Sequence, residues 1–257
     1  MMKLRDITIN YTYYNNKELF LIVQDWYRPF KDKFNFVVID DGSQDEPISR
    51  TFVEDWWKIL RIEEDYGWGN EVARNLLMKN SPTEWNCLMD LDIVIDLQDK
   101  LTHQWMTKDF LKYYGQTYGA SVCFQFELGA RTNYGDLDEN PDYKNQGLNS
   151  FMVSRTTFMQ TYGYDMSLAW LYGSDFTFFS QLSKELIIPN AKLKKLAVQA
   201  SPSEKRYAPG DTEAYNEVLR LTREWASKGW FSMSDGVWIN HDMHQKHCKE
   251  FPETVEL

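Results

Sequence analysis

Two aspartates one residue apart, Asp90 and Asp92, directly follow the apolar run Trp85–Met89. Such a run predicts a buried strand, so the two carboxylates would emerge where the strand reaches solvent. Hard divalent cations such as Mg²⁺ and Mn²⁺ bind oxygen ligands and keep positions open for phosphate oxygens. The pair therefore predicts a cation site that also receives a diphosphate. Asp-x-Asp is also common at ordinary strand ends, so this interpretation depends on the surrounding motifs.

A second acidic turn lies upstream, where the apolar residues 37–39 lead into Asp40, Asp41, Gly42 and Ser43. A carboxylate at this position can accept a hydrogen bond from a nucleobase N–H or a ribose hydroxyl. The alternative is a structural turn, because Asp-Gly-Ser is good turn chemistry.

A third polar segment begins at Asp65 and contains Gly67 and Gly69, directly before a predicted helix that carries Arg74. Glycines let a backbone approach a ligand closely, and a helix N-terminus favours anions. We expect Arg74 either to contact the ligand or to pair with Asp65 or Asp90. The spacing matches neither a P-loop nor a dinucleotide fingerprint.

The elements that position these residues alternate between strand and helix. Strands are predicted over residues 7–11, 34–39, 58–62 and 85–89, and helices after Asn15 or Asn16 and over 70–80. This alternation favours a mainly parallel sheet with both faces covered, in which ligands bind at the carboxyl ends of the strands. Tyr11, Asp40 and Asp90 would then lie along one edge of the sheet.

The second half has a different pattern. Strands are predicted over residues 121–126 and 149–153, and helices from Thr156, over 174–184 and over 211–228. The polar residues 131–147 between them are typical of a loop that faces substrate. We expect one domain over 1–200, in two halves that divide at about residue 100, and a helical extension over 201–257 that could act as a lid.

Composition excludes several classes of protein. The chain has 257 residues, 43% of them hydrophobic, and a formal net charge of −10. This acidic balance disfavours non-specific binding to nucleic acid or anionic membrane. Three cysteines without metal-ligand spacing favour a reducing compartment, and we found no signal sequence or transmembrane run. The sequence thus predicts a soluble cytoplasmic protein, in a host cytoplasm if the source is viral.

The order of these motifs resembles that of the inverting nucleotide-sugar glycosyltransferases of the GT-A fold, especially the family-two group. The resemblance covers about residues 5 to 185 and rests on six motifs in order. They are Tyr14-Asn15, residues 40–43, Gly67 and Gly69 with Ala73-Arg74-Asn75, Asp90-Leu91-Asp92, Phe151 to Arg155 with Gly163-Tyr164-Asp165, and Ser174-Asp175.

The resemblance implies a GT-A, Rossmann-like α/β fold, with a nucleotide-sugar half to about residue 100 and an acceptor half over about 101–200, and a role for each motif. Tyr11, Asp65 and Arg74 would be among the residues that bind the nucleotide-sugar donor. Asp40 would hold the base or ribose of the donor, and Asp90 the ribose or the metal. Asp92 would bind Mn²⁺ or Mg²⁺, with His241 or His244 completing the site. Asp175 would be the catalytic base of a single-displacement reaction. Family members commonly carry an acidic residue before this base, where this chain has Ser174, so Asp165 is the alternative.

The predicted function is transfer of a sugar from a nucleoside-diphosphate sugar, a UDP-sugar by preference, to an acceptor hydroxyl. The acceptor would be a glycan, or a hydroxymethylated base of modified DNA, for which Lys192, Lys194, Lys195, Lys205 and Arg206 could form a phosphate-binding strip. A nucleotidyltransferase is disfavoured because residues 10–17 lack a triphosphate-binding loop. A non-catalytic carbohydrate-binding protein is disfavoured because it needs neither a base nor a cation.

Overall fold

The computed structural model describes residues 4–63, 65, 70–99, 122–128, 150–160, 163–164, 178, 182, 184–195, 231–232, 237–238 and 254–256. Within them, no helix is both long and apolar enough to cross a bilayer.

The first half alternates strand and helix, as the sequence predicts. Its elements are β1 (Ile7–Tyr13), α1 (Lys17–Tyr27), β2 (Asn35–Asp41), β3 (Trp57–Ile62), α2 (Asn70–Asn80) and β4 (Trp85–Met89), with short 3-10 turns at Leu4–Asp6 and Arg28–Phe30. Helix α1 begins where predicted because the Asn16 side chain accepts a hydrogen bond from the Leu19 N–H at 3.2 Å. The bounds of α2 and β4 are those that the apolar spacing predicts.

The second half contains more strand than predicted. Its elements are β5 (Ile93–Ile95), β6 (Val122–Leu128), β7 (Phe151–Ser154), α3 (Arg155–Gln160), β8 (Lys184–Lys195), β9 (Phe231–Ser232), β10 (Val237–Trp238) and β11 (Thr254–Glu256). Strands β6 and β7 and helix α3 confirm the predictions. The sequence did not predict β5, the twelve-residue β8 or β11.

Nine of the described strands form one mixed sheet in the order β11-β3-β2-β1-β4-β7-β6-β8-β5. The four neighbours β3-β2-β1-β4 are all parallel, and β6 is parallel to β8. The remaining pairs, β11–β3, β4–β7, β6–β7 and β5–β8, are antiparallel. The chain thus has an α/β fold with a parallel nucleus, as predicted.

Helices cover both faces of the parallel strands. On one face, Leu19, Phe20, Val23 and Tyr27 of α1 pack against a core cluster that includes Tyr11 and Trp57. On the other, Val72, Ala73, Leu76 and Leu77 of α2 pack against a cluster that includes Val37 and Leu88. Because side chains alternate along a strand, residues of β2 divide between the two clusters, with Phe36 and Val38 on the α1 side and Val37 and Ile39 on the α2 side.

The described residues beyond position 200 form short strands, and β11 pairs with β3 inside the central sheet. The helical character of the extension over 201–257 stays a prediction. The predicted helix over 211–228 lies outside the described residues, as do the loop 131–147 and most of the predicted helix over 174–184.

Candidate active site

The acidic motifs lie at the edge of the sheet formed by the carboxyl ends of β1 to β4, here named the rim. Strand order reverses direction at β1, since β2 and β3 lie on one side of it and β4 on the other. In open α/β sheets such a reversal leaves a crevice that is the usual ligand site. The turn at residues 90–92, here the Asp90 turn, follows β4 and therefore borders this crevice.

The turn at residues 40–43, here the Asp40 turn, is held together by its own carboxylate. Asp40 is fully buried, and its two oxygens accept hydrogen bonds from the backbone N–H groups of Ser43 and Ile48, both at 2.9 Å. The Arg61 Nε lies 3.8 Å from the same carboxylate. Burial raises the pKa of Asp40, and the hydrogen bonds from Ser43 and Ile48 oppose that shift. Asp40 has no exposed surface in this structure, and its role in holding the donor stays a prediction.

Asp41 is also buried, at 7% exposure, but its side chain is less enclosed than that of Asp40. Strand alternation puts it on the α2 side of the sheet with Val37 and Ile39, whereas Asp40 lies on the α1 side. The sequence analysis did not select Asp41, although the alternation of β2 was the signal that could have separated it from Asp40.

The residues after β1 hold the neighbouring loop in place. Asn15 has a φ of +41°, and its Oδ1 accepts from the N–H groups of Asp45 at 3.1 Å and Glu46 at 2.9 Å. The Asn15 N–H donates to the Ser43 Oγ at 2.8 Å. Asparagine tolerates the left-handed conformation better than most residues, so this position suits it.

Asp65 lies on the rim, next to the end of β1. The Tyr14 hydroxyl donates to Asp65 Oδ2 at 2.8 Å, and the Asp65 side chain is exposed. This contact joins the Tyr14-Asn15 motif to the polar segment that begins at Asp65. Residues 66–69, with the two glycines of the motif, lie outside the described residues.

Arg74 contacts Asp90 from inside the protein. It is 1% exposed, and its Nη2 donates to Asp90 Oδ1 at 2.6 Å while its Nη1 donates to the Tyr164 hydroxyl at 3.1 Å. Burial alone would lower the pKa of Arg74, but the charges of Tyr164 and Asp90 raise it, so the guanidinium stays protonated. Of the two alternatives predicted for Arg74, the structure shows pairing with Asp90. The guanidinium is enclosed here, and its direct contact with the donor stays a prediction.

Asn75 fixes the turn that Arg74 contacts. Its Nδ2 donates to the Tyr164 carbonyl and its Oδ1 accepts from the Tyr164 N–H, both at 2.9 Å. Gly163 has a φ of +67°, and a Cβ there would lie 2.4 Å from Asn75 Oδ1 and 2.6 Å from the Phe158 ring. Only glycine fits this position. The Ala-Arg-Asn and Gly-Tyr motifs, about 90 residues apart, are thus one contact.

Two buried tyrosines anchor the segment that follows the Asp90 turn. The Tyr11 hydroxyl donates to the Ile93 carbonyl at 2.7 Å, and the Tyr27 hydroxyl accepts from the Ile95 N–H at 2.8 Å. The two hydroxyls are 3.0 Å apart. Tyr11 is fully buried in this structure, and its role in donor binding stays a prediction. Burial raises the pKa of both Tyr11 and Tyr27, so both hydroxyls remain protonated.

Asp90 and Asp92 are both partly exposed, and the Asp90 side chain has 29% of its surface accessible. A further backbone contact shapes the turn between them, in which the Ile93 N–H donates to the Asp90 carbonyl at 3.0 Å. The Ser150 Oγ accepts from the Asp90 N–H at 3.2 Å. The Asp92 carboxylate is close enough to Tyr11 that its negative charge contributes to the raised pKa of the Tyr11 hydroxyl. These oxygens are the ligand type that Mg²⁺ and Mn²⁺ prefer.

The described residues contain no group of three His, Cys, Asp or Glu side chains able to hold a metal ion. The predicted base Asp175, its alternative Asp165 and the predicted ligands His241 and His244 lie outside the described residues. Their roles therefore stay predictions.

No family model and no curated protein matches this chain. Among solved structures, the fold resembles that of Staphylococcus aureus TarS, with a TM-score of 0.58 and 15% identity over 91% of this chain. The chain spans 41% of the length of TarS. A mannosyltransferase from Pyrobaculum calidifontis, solved with GDP-Man and Mn²⁺, aligns over 88% of this chain and 76% of its own, with 12% identity and a TM-score of 0.49. The likeness to TarS supports the GT-A type of α/β fold that the motif order predicts.

Proposed function

We propose that this protein is a glycosyltransferase that uses a nucleoside-diphosphate sugar and a divalent cation. The observation that carries the proposal is the Asp90 turn. It presents two partly exposed carboxylates, Asp90 and Asp92, beside the crevice at the strand-order reversal. Buried groups, Arg74 below Asp90 and the tyrosine pair below Ile93 and Ile95, hold it there.

For the donor, we assign Asp92 to the cation and Asp90 to the ribose or the cation. Asp65 is kept as a donor-binding residue because it is exposed on the same rim. For the base or ribose we propose Asp41, which lies on the α2 side of β2, the side of the helix that carries Arg74, and Asp40 stays the alternative. Arg74, Tyr11 and Tyr27 act as positioning residues.

For the reaction, we propose an inverting single displacement in which Asp175 accepts the proton of the acceptor hydroxyl. A cation bound at the Asp90 turn would neutralise charge on the departing diphosphate. His241 or His244 would complete its ligand set. These roles rest on the motif order of the sequence, and Asp165 is the alternative base.

For the substrates, we propose a UDP-sugar as donor and a glycan hydroxyl as acceptor. A hydroxymethylated DNA base is the alternative acceptor. The net charge of −10 favours the glycan, since a polyanion would be repelled over most of the surface.

The direct test is Asp92→Asn, assayed by calorimetric titration with UDP-sugars in the presence and absence of Mn²⁺. We expect Mn²⁺-dependent donor binding to be lost, because the amide removes the anionic ligand while keeping the side-chain shape. Asp25→Asn is the matched control, since that carboxylate is 64% exposed on α1 and, within the described residues, forms a salt bridge only with Arg28. It should bind donor as the unaltered protein does.

Three results would contradict the proposal. They are Mn²⁺-dependent donor binding that survives Asp92→Asn, release of pyrophosphate from a nucleoside triphosphate in place of sugar transfer, and an unaltered protein that binds sugars without any hydrolysis or transfer. Asp175→Asn is a separate test of the base, and should bind donor but fail to transfer. Transfer by this variant would move the base to Asp165.

A further inference from the structure

A second cleft lies at the opposite edge of the sheet, at the amino ends of the parallel strands. It has a volume of about 460 Å³, within the usual range for small-molecule sites. Its described lining includes Arg5 before β1, Asn35 at the start of β2, Trp57 at the start of β3 and Pro82 before β4. This amino-edge cleft is separated from the rim by the length of the strands, and no motif of the sequence analysis falls in it.

Basic side chains are concentrated in this cleft, although the chain as a whole is acidic. Arg5, Lys31, Arg50 and Lys58 line it, and Lys58 is paired with Glu256 at 2.9 Å. Arg5 donates through Nε to the backbone carbonyl of Asp32 and forms no salt bridge with a carboxylate within the described residues. The Lys31 side chain is exposed and makes no salt bridge or hydrogen bond in the described part of the chain, although its charge acts on the Glu54 carboxylate. Arg5 and Lys31 can therefore receive an anionic group.

An immobilised indole lies beside these cations. Trp56 lines the cleft and is only partly buried. Its Nε1 donates to Glu54 Oε2 at 2.7 Å, and its ring packs edge-on against Phe36 and at a tilt against Trp57, with centroids 4.8 and 5.0 Å away. An indole held in this way loses little side-chain freedom when a sugar ring stacks on it, which favours binding.

We propose that the amino-edge cleft binds a monosaccharide that carries one anionic group, either a phosphate or a carboxylate. The sugar ring stacks on Trp56, and the anion binds Arg5 and Lys31 through charge-assisted hydrogen bonds. This site is separate from the donor site at the rim and does not depend on the cation there.

Three acidic side chains limit what this cleft can accept. Asp32 and Asp55 line it and are exposed, and Glu256 is the third, so the basic side chains exceed the acidic ones by only one. A nucleic acid or an anionic lipid surface brings many charges and would meet these carboxylates. A single anion on a small sugar can reach the cations without that repulsion.

The test is calorimetric titration of the full chain with glucose 6-phosphate, glucuronate, glucose and inorganic phosphate. We expect one of the two anionic sugars to bind more tightly than about 1 mM, and both neutral glucose and free phosphate to bind more weakly than it. Arg5→Gln/Lys31→Gln should weaken that binding about tenfold or more, since both charges are removed. Both side chains are exposed, so the fold should tolerate the changes.

Two controls separate this site from the rim. Lys17→Gln/Lys33→Gln removes two exposed charges that lie over the Phe52 and Phe30 rings outside the cleft lining, and should leave binding unchanged. Asp92→Asn should also leave it unchanged, even if donor binding is lost. Anionic-sugar binding weaker than about 1 mM, or lost in Asp92→Asn but not in Arg5→Gln/Lys31→Gln, would overturn the proposal. Equal binding of phosphate and glucose 6-phosphate, or stronger binding of duplex DNA than of either sugar, would overturn it too.

Discussion

The Asp40 turn and the Asp90 turn lie on the same rim and are both acidic, yet they use their carboxylates in opposite ways. In the Asp40 turn the Asp40 carboxylate points inward and accepts hydrogen bonds from two backbone N–H groups of its own loop. In the Asp90 turn both carboxylates remain partly exposed. Arg74 donates to Asp90, and the Tyr11 and Tyr27 hydroxyls bind the backbone of Ile93 and Ile95 directly after the turn.

An acidic motif at a strand end is therefore not by itself a ligand site. A carboxylate can serve either as the internal acceptor of a turn or as a presented ligand, and the buried groups around it decide which. Substitutions of Asp40 should therefore change mainly stability. Substitutions beneath the Asp90 turn should change donor binding as well.

The largest effect is expected from Asp40→Ala. The substitution leaves the N–H groups of Ser43 and Ile48 without their acceptor, and both residues are buried. We expect the free energy of unfolding to fall by about 3 kcal/mol, measured by urea denaturation.

Asp40→Asn is the matched variant, because it keeps one acceptor oxygen and removes the buried charge. It should lose clearly less stability than Asp40→Ala. If Asp40→Ala is as stable as the unaltered protein but fails to bind UDP-sugar, then Asp40 contacts the donor. In that case the two turns do not differ in how they use their carboxylates.

A smaller effect on stability, joined to a loss of donor binding, is expected from Arg74→Met. Removing one member of a buried pair is costly, but Asp90 is partly accessible to water, so we expect about 2 kcal/mol of destabilisation. Donor affinity should fall about tenfold, since Asp90 loses the group that orients it. The measurements are urea denaturation and calorimetric titration with UDP-sugar and Mn²⁺.

Arg155→Met is the control for that variant, because the Arg155 side chain is exposed and, within the described residues, donates only to the backbone carbonyl of Lys79. It should alter neither quantity appreciably. Unchanged donor affinity in a folded Arg74→Met protein would show that Asp90 needs no orientation by the guanidinium.

The smallest effect is expected from Tyr27→Phe, at about 1 kcal/mol of unfolding free energy, because one hydroxyl contact with the Ile95 N–H is lost. A double-mutant cycle with Tyr11→Phe, followed by urea denaturation, should give a favourable coupling energy, since the two hydroxyls are 3.0 Å apart. Strictly additive effects would mean that Ile93 and Ile95 are anchored independently.

Local patterns predicted the first half well. Apolar runs marked β1 to β4, helical spacing marked α2, and the capping side chain of Asn16 marked the start of α1. Each of these signals lies within one element, so neighbouring residues are enough to read it. The alternation of strand and helix then sufficed to bring the acidic motifs to one rim.

Non-local pairing was beyond such patterns. Strand β11 joins the sheet beside β3, and β5 pairs with β8 across about a hundred residues. For the candidate site, neither the burial of Tyr11 nor that of Asp40 follows from spacing, since motif order does not say which side of a strand a residue faces. Asp175, His241 and His244 are still predictions from the sequence.

What the sequence determined by itself is the order of elements and the edge of the sheet at which Asp40 and Asp90 lie. Only the tertiary structure decided which of the carboxylates meet solvent. The reason is that direction and burial of a side chain depend on partners far along the chain, such as Tyr164 for Arg74 and Ile93 for Tyr11, and such contacts form only when the sheet and both helix layers are assembled.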